Sequence, residues 1–158
     1  MSVQKTGDWS KLDRMFSDVG PRFERNIQAA TDKNGRMLEA GMVETIEKEG
    51  YGAWPALQPE TIKRKAKAGR EKMLQWTGQL MAGIRYARDA WNSGFVGIRR
   101  NVKRAEGGDL VNVAAVHEMG SPARNIPARP FAAPTGKRFE EQVAKNYDEA
   151  VEKTFSGT

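Results

Sequence analysis

Residues 117–131 read HEMGSPARNIPARPF, and this stretch decides how the elements on either side of it connect. It begins with the only histidine of the chain, passes through Gly120 and then contains three prolines. Proline fixes φ and has no N–H to donate, so neither a helix nor an inner strand continues through such a run. We therefore expect a rigid loop here, with structured elements before and after it.

The first 50 residues have the apolar periodicity of helices. Residues 9–19 predict a short amphipathic helix with Asp8 as its cap, and Gly20-Pro21 is expected to break it. A second, long helix then follows from Pro21 to about Glu49. Its apolar positions recur at helical spacing and are Phe23, Ile27, Ala30, Met37, Leu38, Met42 and Ile46.

A shorter helical region follows a Gly-Tyr-Gly break. Pro59-Glu60-Thr61 predicts the start of a basic helix that continues to about Ala68. Thr77 is placed to cap one more turn over residues 79–83.

The pattern changes to period two at Ile84. Residues 84–87 and 95–98 predict two strands of a hairpin, joined by the turn at 91–94. Residues 110–113 predict a third strand, which would complete a small antiparallel meander. A last helical turn at 114–119 would then end at Gly120.

The chain is expected to form a single α+β domain over residues 1–158, with one long helix, a sheet of three strands or slightly more, and a C-terminal helix. Its parts are a mainly helical region at 9–83, a sheet at 84–116, a Pro-rich loop at 117–135 and a closing helix at 136–154.

The composition excludes several classes of site. Cysteine is absent, which excludes disulfides, thiolate metal sites and cysteine nucleophiles. The chain has no run of apolar residues long enough to span a membrane, and its first residues lack the apolar core of a signal peptide. We expect a protein that is made and kept in a cytoplasm, without a membrane partner.

No catalytic, cofactor or metal site is predicted. His117 is the only candidate imidazole base, and no motif places a nucleophile or a second ligand beside it. The neighbouring carboxylates at 140–141 and 148–149 are explained by an exposed helix. We therefore predict a protein that is not an enzyme.

The net charge of +6 is concentrated in the middle of the chain. Residues 61–104 carry 12 basic and 2 acidic side chains, whereas both flanking regions have a slight acidic excess. A block of this kind can attract an anionic partner such as nucleic acid or an acidic protein surface, and it can equally be a solvated helix face. The candidate patch is Lys63, Arg64, Lys65, Lys67, Arg70 and Lys72.

Five short motifs occur in an order that resembles the virion-morphogenesis family of tailed bacteriophages. They are W-x-x-L at 54–57, T-x-x-R-K at 61–65, L-x-x-T-G-x-L at 74–80, H-x-x-G at 117–120 and I-P-A-R-P-F at 126–131. With the closing helix, the resemblance covers roughly residues 23–154. Ala132-Ala133-Pro134 stands where relatives often have leucine, which leaves the subgroup open.

The resemblance implies a structural virion protein of the neck, head–tail connector or tail-completion ring, built as an α+β domain and without enzymatic activity. It further implies a homo-oligomeric ring, with a hexamer preferred over a dodecamer, that contacts other neck, connector or tail-tube proteins. Such a protein is assembled in the host cytoplasm and located at the head–tail junction or tail top, with a passing contact to genomic DNA. The alternative function is a small basic nucleic-acid-binding protein that uses residues 61–104.

The proline loop is the candidate subunit interface, through Ile126, Arg129 and Phe131. In one hypothesis, residues 122–131 lie extended against a neighbour or their own sheet, with Ile126 and Phe131 in apolar pockets and Arg129 paired to a carboxylate. In the other, Arg129 and Phe131 fasten the loop onto their own core.

Overall fold

A computed structural model describes residue 7 and residues 9–156, with the side chains at 11, 12, 14 and 15 left out of the description. Its elements are α1 (Trp9–Glu47), α2 (Pro59–Lys67), α3 (Gln79–Gly83), β1 (Ile84–Ala90), β2 (Ser93–Ile98), α4 (Leu110–Met119) and α5 (Ala132–Ser156). Short 3₁₀ turns lie at Glu49–Gly52 and Pro122–Arg124. The predicted α+β class, with a long N-terminal helix and a closing helix, is confirmed.

The long helix α1 runs through Pro21 without a break, so the predicted end at Gly20-Pro21 is wrong. A proline removes one backbone donor and crowds the preceding turn, which bends a helix but does not end it when helical residues flank it on both sides. The helix ends at Glu47, close to the predicted position. The predicted cap, Asp8, lies outside the described residues.

Helices α1 and α5 pack side by side in antiparallel directions. Hydrogen bonds join Thr45 to Thr135 (3.0 Å), Asn34 to Asn146, and Asn26 to Thr154 (3.0 Å), in opposite order along the two helices. All of these side chains except Asn26 are buried. Polar pairs therefore set the register of this helix pair.

The sheet is a two-stranded hairpin, not a three-stranded meander. Its register pairs Ile84 with Ile98 and Tyr86 with Val96, and the turn lies at residues 91–92, within the predicted stretch. The hairpin lies on α1 at Gly35, where an added Cβ would stand 2.2 Å from the Tyr86 ring. Only glycine fits at this crossing.

The predicted third strand at 110–113 is the first turn of α4, so the predicted sheet region of 84–116 is wrong beyond Ile98. Leu110 is buried, and Val111 and Ala114 pack against the core, at spacings of one and four residues that suit a helix. A four-residue apolar run does not distinguish a buried strand from a buried helix, which explains the error.

Both short helices lie where they were predicted, but the N-cap of α3 is not the predicted residue. Helix α2 spans the predicted basic stretch, and α3 the predicted turn. The N-cap of α3 is Gly78, however, and the Thr77 hydroxyl accepts only a long hydrogen bond (3.4 Å) from the Gln79 N–H.

The main core lies where the C-terminal half of α1 meets the hairpin, α3, α4 and the start of α5. Its buried side chains are Met42, Ile46, Trp54, Leu80, Ile84, Ile98, Leu110 and Phe131. A smaller cluster of Ile27, Ala30 and Ala150 lies further along the α1/α5 pair.

Candidate functional site: the proline segment and the basic pocket beside it

Glu118 fastens the proline segment to the start of α5. Its carboxylate accepts hydrogen bonds from the backbone N–H groups of Phe131 (2.8 Å), Ala132 (3.0 Å) and Ala133 (2.9 Å). The first N–H groups of a helix have no partner within the helix, and a negative charge is favourable there. This side chain explains why α5 begins at Ala132, four residues before the predicted position of 136.

Gly120 sends the chain from α4 into the proline segment. It has φ of 77°, a left-handed conformation that favours glycine, and an added Cβ would stand 2.9 Å from the Ala128 nitrogen. The predicted helix stop at Gly120 is confirmed.

Arg129 is buried, at 5% exposure, and it contacts its own subunit. Its guanidinium donates to the carbonyl oxygens of Pro55 (3.1 Å) and Ala56 (3.2 Å). Both of these acceptors are backbone carbonyls, and Arg129 forms no ion pair with a carboxylate of the described residues, so its predicted pairing with a carboxylate stays a prediction. The Arg129 Nε is buried and has no acceptor among those residues, and burial lowers the pKa of the guanidinium.

Phe131 and its neighbour Pro130 complete the attachment. The Phe131 ring is 4% exposed within the main core, and the Pro130 carbonyl accepts a hydrogen bond from the Trp54 indole (3.0 Å). Arg129 and Phe131 therefore fasten the segment onto its own core, as the second hypothesis stated. Ile126 is half-buried, and its role in an interface stays a prediction.

The six predicted basic side chains do not form one uniform patch. Lys65 is buried at 5% exposure, whereas the other five residues, Lys63, Arg64, Lys67, Arg70 and Lys72, are exposed. The Trp76 ring brings three of the six together: the charged groups of Arg64, Lys65 and Arg70 lie 5.5, 5.5 and 5.6 Å from its centre. These distances are those of cation–π contacts.

Other cations of the basic block are already paired. Arg85 lies 3.6 Å from Glu39 and Arg88 lies 3.0 Å from Asp32, both on α1. Lys103 and Arg104 pair locally with Asp109 and Glu106. Among the described residues of the block, the exposed cations without an ion pair lie on α2 and the loop that follows it, and at Arg99 and Arg100.

A cavity of about 300 Å³ lies between α2, Trp76 and residues 125–129. Three nitrogen-bearing side chains that lie far apart in the sequence, Lys65, His117 and Arg129, line it together. The His117 Nδ1 is buried and has no partner in the described part of the chain, and burial followed by the charge of Arg129 lowers the pKa of this imidazole.

Sequence reasoning missed this convergence. It recognised His117 as a lone histidine, Lys65 as part of an exposed patch and Arg129 as an interface residue. One signal was available: Lys65, His117 and Arg129 each belong to one of the five ordered motifs. Periodicity gave no indication, because the contacts link α2 to a segment more than fifty residues later.

The end of the α1/α5 pair distant from the core, residues 9–34 and 146–156, is called the arm below. Large apolar side chains are exposed there: Trp9 (53%), Phe16 (69%), Val151 (37%) and Phe155 (69%). The amphipathic stripe predicted at residues 9–19 is thus partly open to solvent where its side chains are described.

The described residues contain neither a cluster suited to a metal ion nor a helix suited to a membrane. No group of three or more His, Asp or Glu side chains there could hold a metal ion. None of the described helices has both the length and the apolar character needed to cross a bilayer.

Comparison with known proteins gives one full-length relative. No family model matches the chain, and no solved structure matches it. The relative is the uncharacterized protein MJ0331 of Methanocaldococcus jannaschii, with 33% identity over 154 residues that cover 92% of this chain and 98% of that protein. The chain therefore belongs to the same protein family as MJ0331.

Proposed function

We propose that this protein is a structural virion protein of a tailed bacteriophage, one that forms part of the head–tail connector, neck or tail-completion ring. The observation that carries the proposal is the ordered set of motifs between residues 54 and 131, together with what those motifs do in the fold. Trp54, Glu118 and Arg129 bond to backbone groups of other motif or motif-adjacent segments. Their part in the molecule is to hold a rigid scaffold.

The arm supports assembly with other chains. Trp9, Phe16 and Phe155 expose large aromatic side chains there, and aromatic residues are enriched in protein interfaces. In a ring, one surface of each subunit contacts a different surface of its neighbour, and rotation about the ring axis repeats this contact. The apolar arm and the cationic region around α2 are two such surfaces, at different places on the molecule.

Nucleic-acid binding by residues 61–104 is the second candidate. Lys63, Lys67 and Lys72 are exposed and form no ion pair within the described residues. The exposed Arg64 and Arg70 lie 5.5 and 5.6 Å from the centre of the half-exposed Trp76 ring. Cations beside an exposed ring are typical of single-strand binding. The pairing of Arg85, Arg88, Lys103 and Arg104 with acidic side chains weakens this candidate.

Two measurements on the purified protein separate the candidates. The first is its mass in solution over a range of concentrations, and the second is DNA affinity as a function of salt. The structural function predicts a particle of several chain masses and weak DNA affinity. A monomer that binds DNA tightly, with an affinity that falls steeply as salt rises, would overturn it in favour of the second candidate.

A further inference from the structure

The cavity beside α2 is lined by two cationic side chains without an acidic partner, and the Nε of one of them, Arg129, is buried. Lys65 and Arg129 are each 5% exposed, and neither forms an ion pair with any Asp or Glu of the described residues. Glu49 is the carboxylate whose charge acts on Lys65, but it does not lie within ion-pair distance, and its Oε1 accepts the Met73 N–H (2.6 Å). Buried charges in proteins are normally paired or bound to a ligand.

Both cations have free donors. The Arg129 NH2 group is engaged by the Pro55 and Ala56 carbonyls, whereas its Nε is buried and has no acceptor among the described residues. The Lys65 ammonium lies 5.5 Å from the centre of the Trp76 ring and has no hydrogen-bond acceptor among the described residues. Both side chains line the same 300 Å³ cavity.

The walls of the cavity indicate the type of anion. Leu57, Leu74, Ile126 and Pro127 line it beside the cations, so an occupant with an apolar stem is favoured over a fully hydrated ion. The Lys65 ammonium carries three N–H groups and Arg129 has a free Nε–H, so a carboxylate can accept from both side chains while its apolar stem lies against these walls. We propose that this cavity binds a carboxylate, with Lys65 and Arg129 as the groups that hold its oxygens.

The carboxylate has two sources, a small organic acid or an acidic side chain of a second copy. Helix α5 presents four exposed carboxylates that form no ion pair within the described residues: Glu140, Glu141, Asp148 and Glu152. A contact between α5 of one copy and α2 of the next would match charges of opposite sign. This second source rests on the proposed function, whereas the carboxylate site itself does not.

Thermal unfolding of the full chain tests the site, with sodium propionate as the probe and sodium chloride at equal ionic strength as the reference. A ligand that binds the folded state raises the Tm in a saturable way. We expect saturating propionate to raise the wild-type Tm by about 2–4 °C. Lys65→Met should lose this rise. Lys63→Met, an exposed lysine on the same helix, should retain it.

The dependence of the Tm on protein concentration identifies the source of the carboxylate. If the Tm of the wild type increases with protein concentration and the Tm of Lys65→Met does not, the carboxylate belongs to a second copy. A propionate effect without concentration dependence assigns it to a small acid, and leaves the site standing even if the ring proposal fails.

Three results would overturn the carboxylate site. One is an equal propionate response in wild type and Lys65→Met. Another is the absence of any response beyond sodium chloride. The third is a Lys65-dependent rise that is larger with inorganic phosphate than with propionate.

Discussion

The two ends of the α1/α5 helix pair are held together by different kinds of contact. Near the core, apolar side chains such as Ile46 and Phe131 are buried, and Glu118 and Arg129 bond the proline segment to backbone groups. In the arm, a small apolar cluster is supplemented by hydrogen bonds between polar side chains, and large aromatic side chains stay exposed. Both ends expose large apolar side chains, with Met119 at 73% near the core and Phe16 and Phe155 at 69% on the arm, but only the core end is held mainly by a large buried apolar cluster.

This difference shows where an assembly contact is to be sought. Sequence composition directed attention to the proline segment, because it combines an aliphatic, a cationic and an aromatic side chain. In the fold, two of those three side chains are buried in their own subunit. Exposed aromatic side chains on the arm and exposed cations around α2 are therefore further candidates for such a contact.

Phe131→Ala has the largest expected effect, because it truncates a side chain that is 4% exposed in the main core. Such truncations reduce the free energy of unfolding by about 3–5 kcal/mol. Phe155→Ala on the arm, where the ring is 69% exposed, is the matched control and should change it by less than about 0.5 kcal/mol. Chemical denaturation measures both, and equal losses would contradict the comparison.

Glu118→Ala is expected to have the next largest effect. It leaves three N–H groups at the start of α5 without their acceptor, and loss of a cap of this kind reduces the free energy of unfolding by about 1–2 kcal/mol. Hydrogen exchange should show faster opening at residues 131–133. Glu140→Ala, at an exposed position of α5, serves as the control and should leave those residues protected.

Asn146→Ala tests the polar contacts of the arm. It removes the hydrogen bond to Asn34 and leaves a buried amide of Asn34 with only the Val143 carbonyl as a partner, which we expect to reduce the free energy of unfolding by about 1 kcal/mol. Lys145→Ala at the neighbouring exposed position should have little effect. If Asn146→Ala leaves the free energy of unfolding unchanged, the polar pairs do not set the helix register.

The smallest effect is a pH dependence from His117. Burial and the charge of Arg129 lower the pKa of His117 in the folded state below its ordinary value of 6.5. Between these two values the unfolded chain binds more protons than the folded chain, so the free energy of unfolding should fall as pH drops below 6.5. Since this is the only histidine, His117→Gln should remove the slope, and an unchanged slope would contradict the assignment.

The sequence was informative where one element has one clear period. The apolar spacing of α1 and α5 and the alternation in the hairpin predicted those elements, and Gly120 predicted the end of α4. It was uninformative where local patterns are ambiguous. The apolar run at Leu110 has no distinct period, and Pro21 is compatible with both a break and a bend.

The site could be predicted only in part, for a physical reason. Glu118 caps α5 from across a loop, and Lys65 and Arg129 line one cavity between α2 and the proline segment. Contacts of this kind depend on how the elements pack, and no spacing within one element encodes them. Lys65, Glu118 and Arg129 all lie within the motifs, but only the fold shows which groups they contact or which cavity they line.

The solution mass of the wild-type chain and of a double arm variant, Phe16→Asp with Phe155→Asp, tests the central claim most directly. Both substitutions replace side chains that are 69% exposed, so the fold should be retained. We predict a closed particle of several chain masses for the wild type and a folded monomer for the variant. A wild-type monomer at every concentration, or an assembly that the variant forms equally well, would contradict the account.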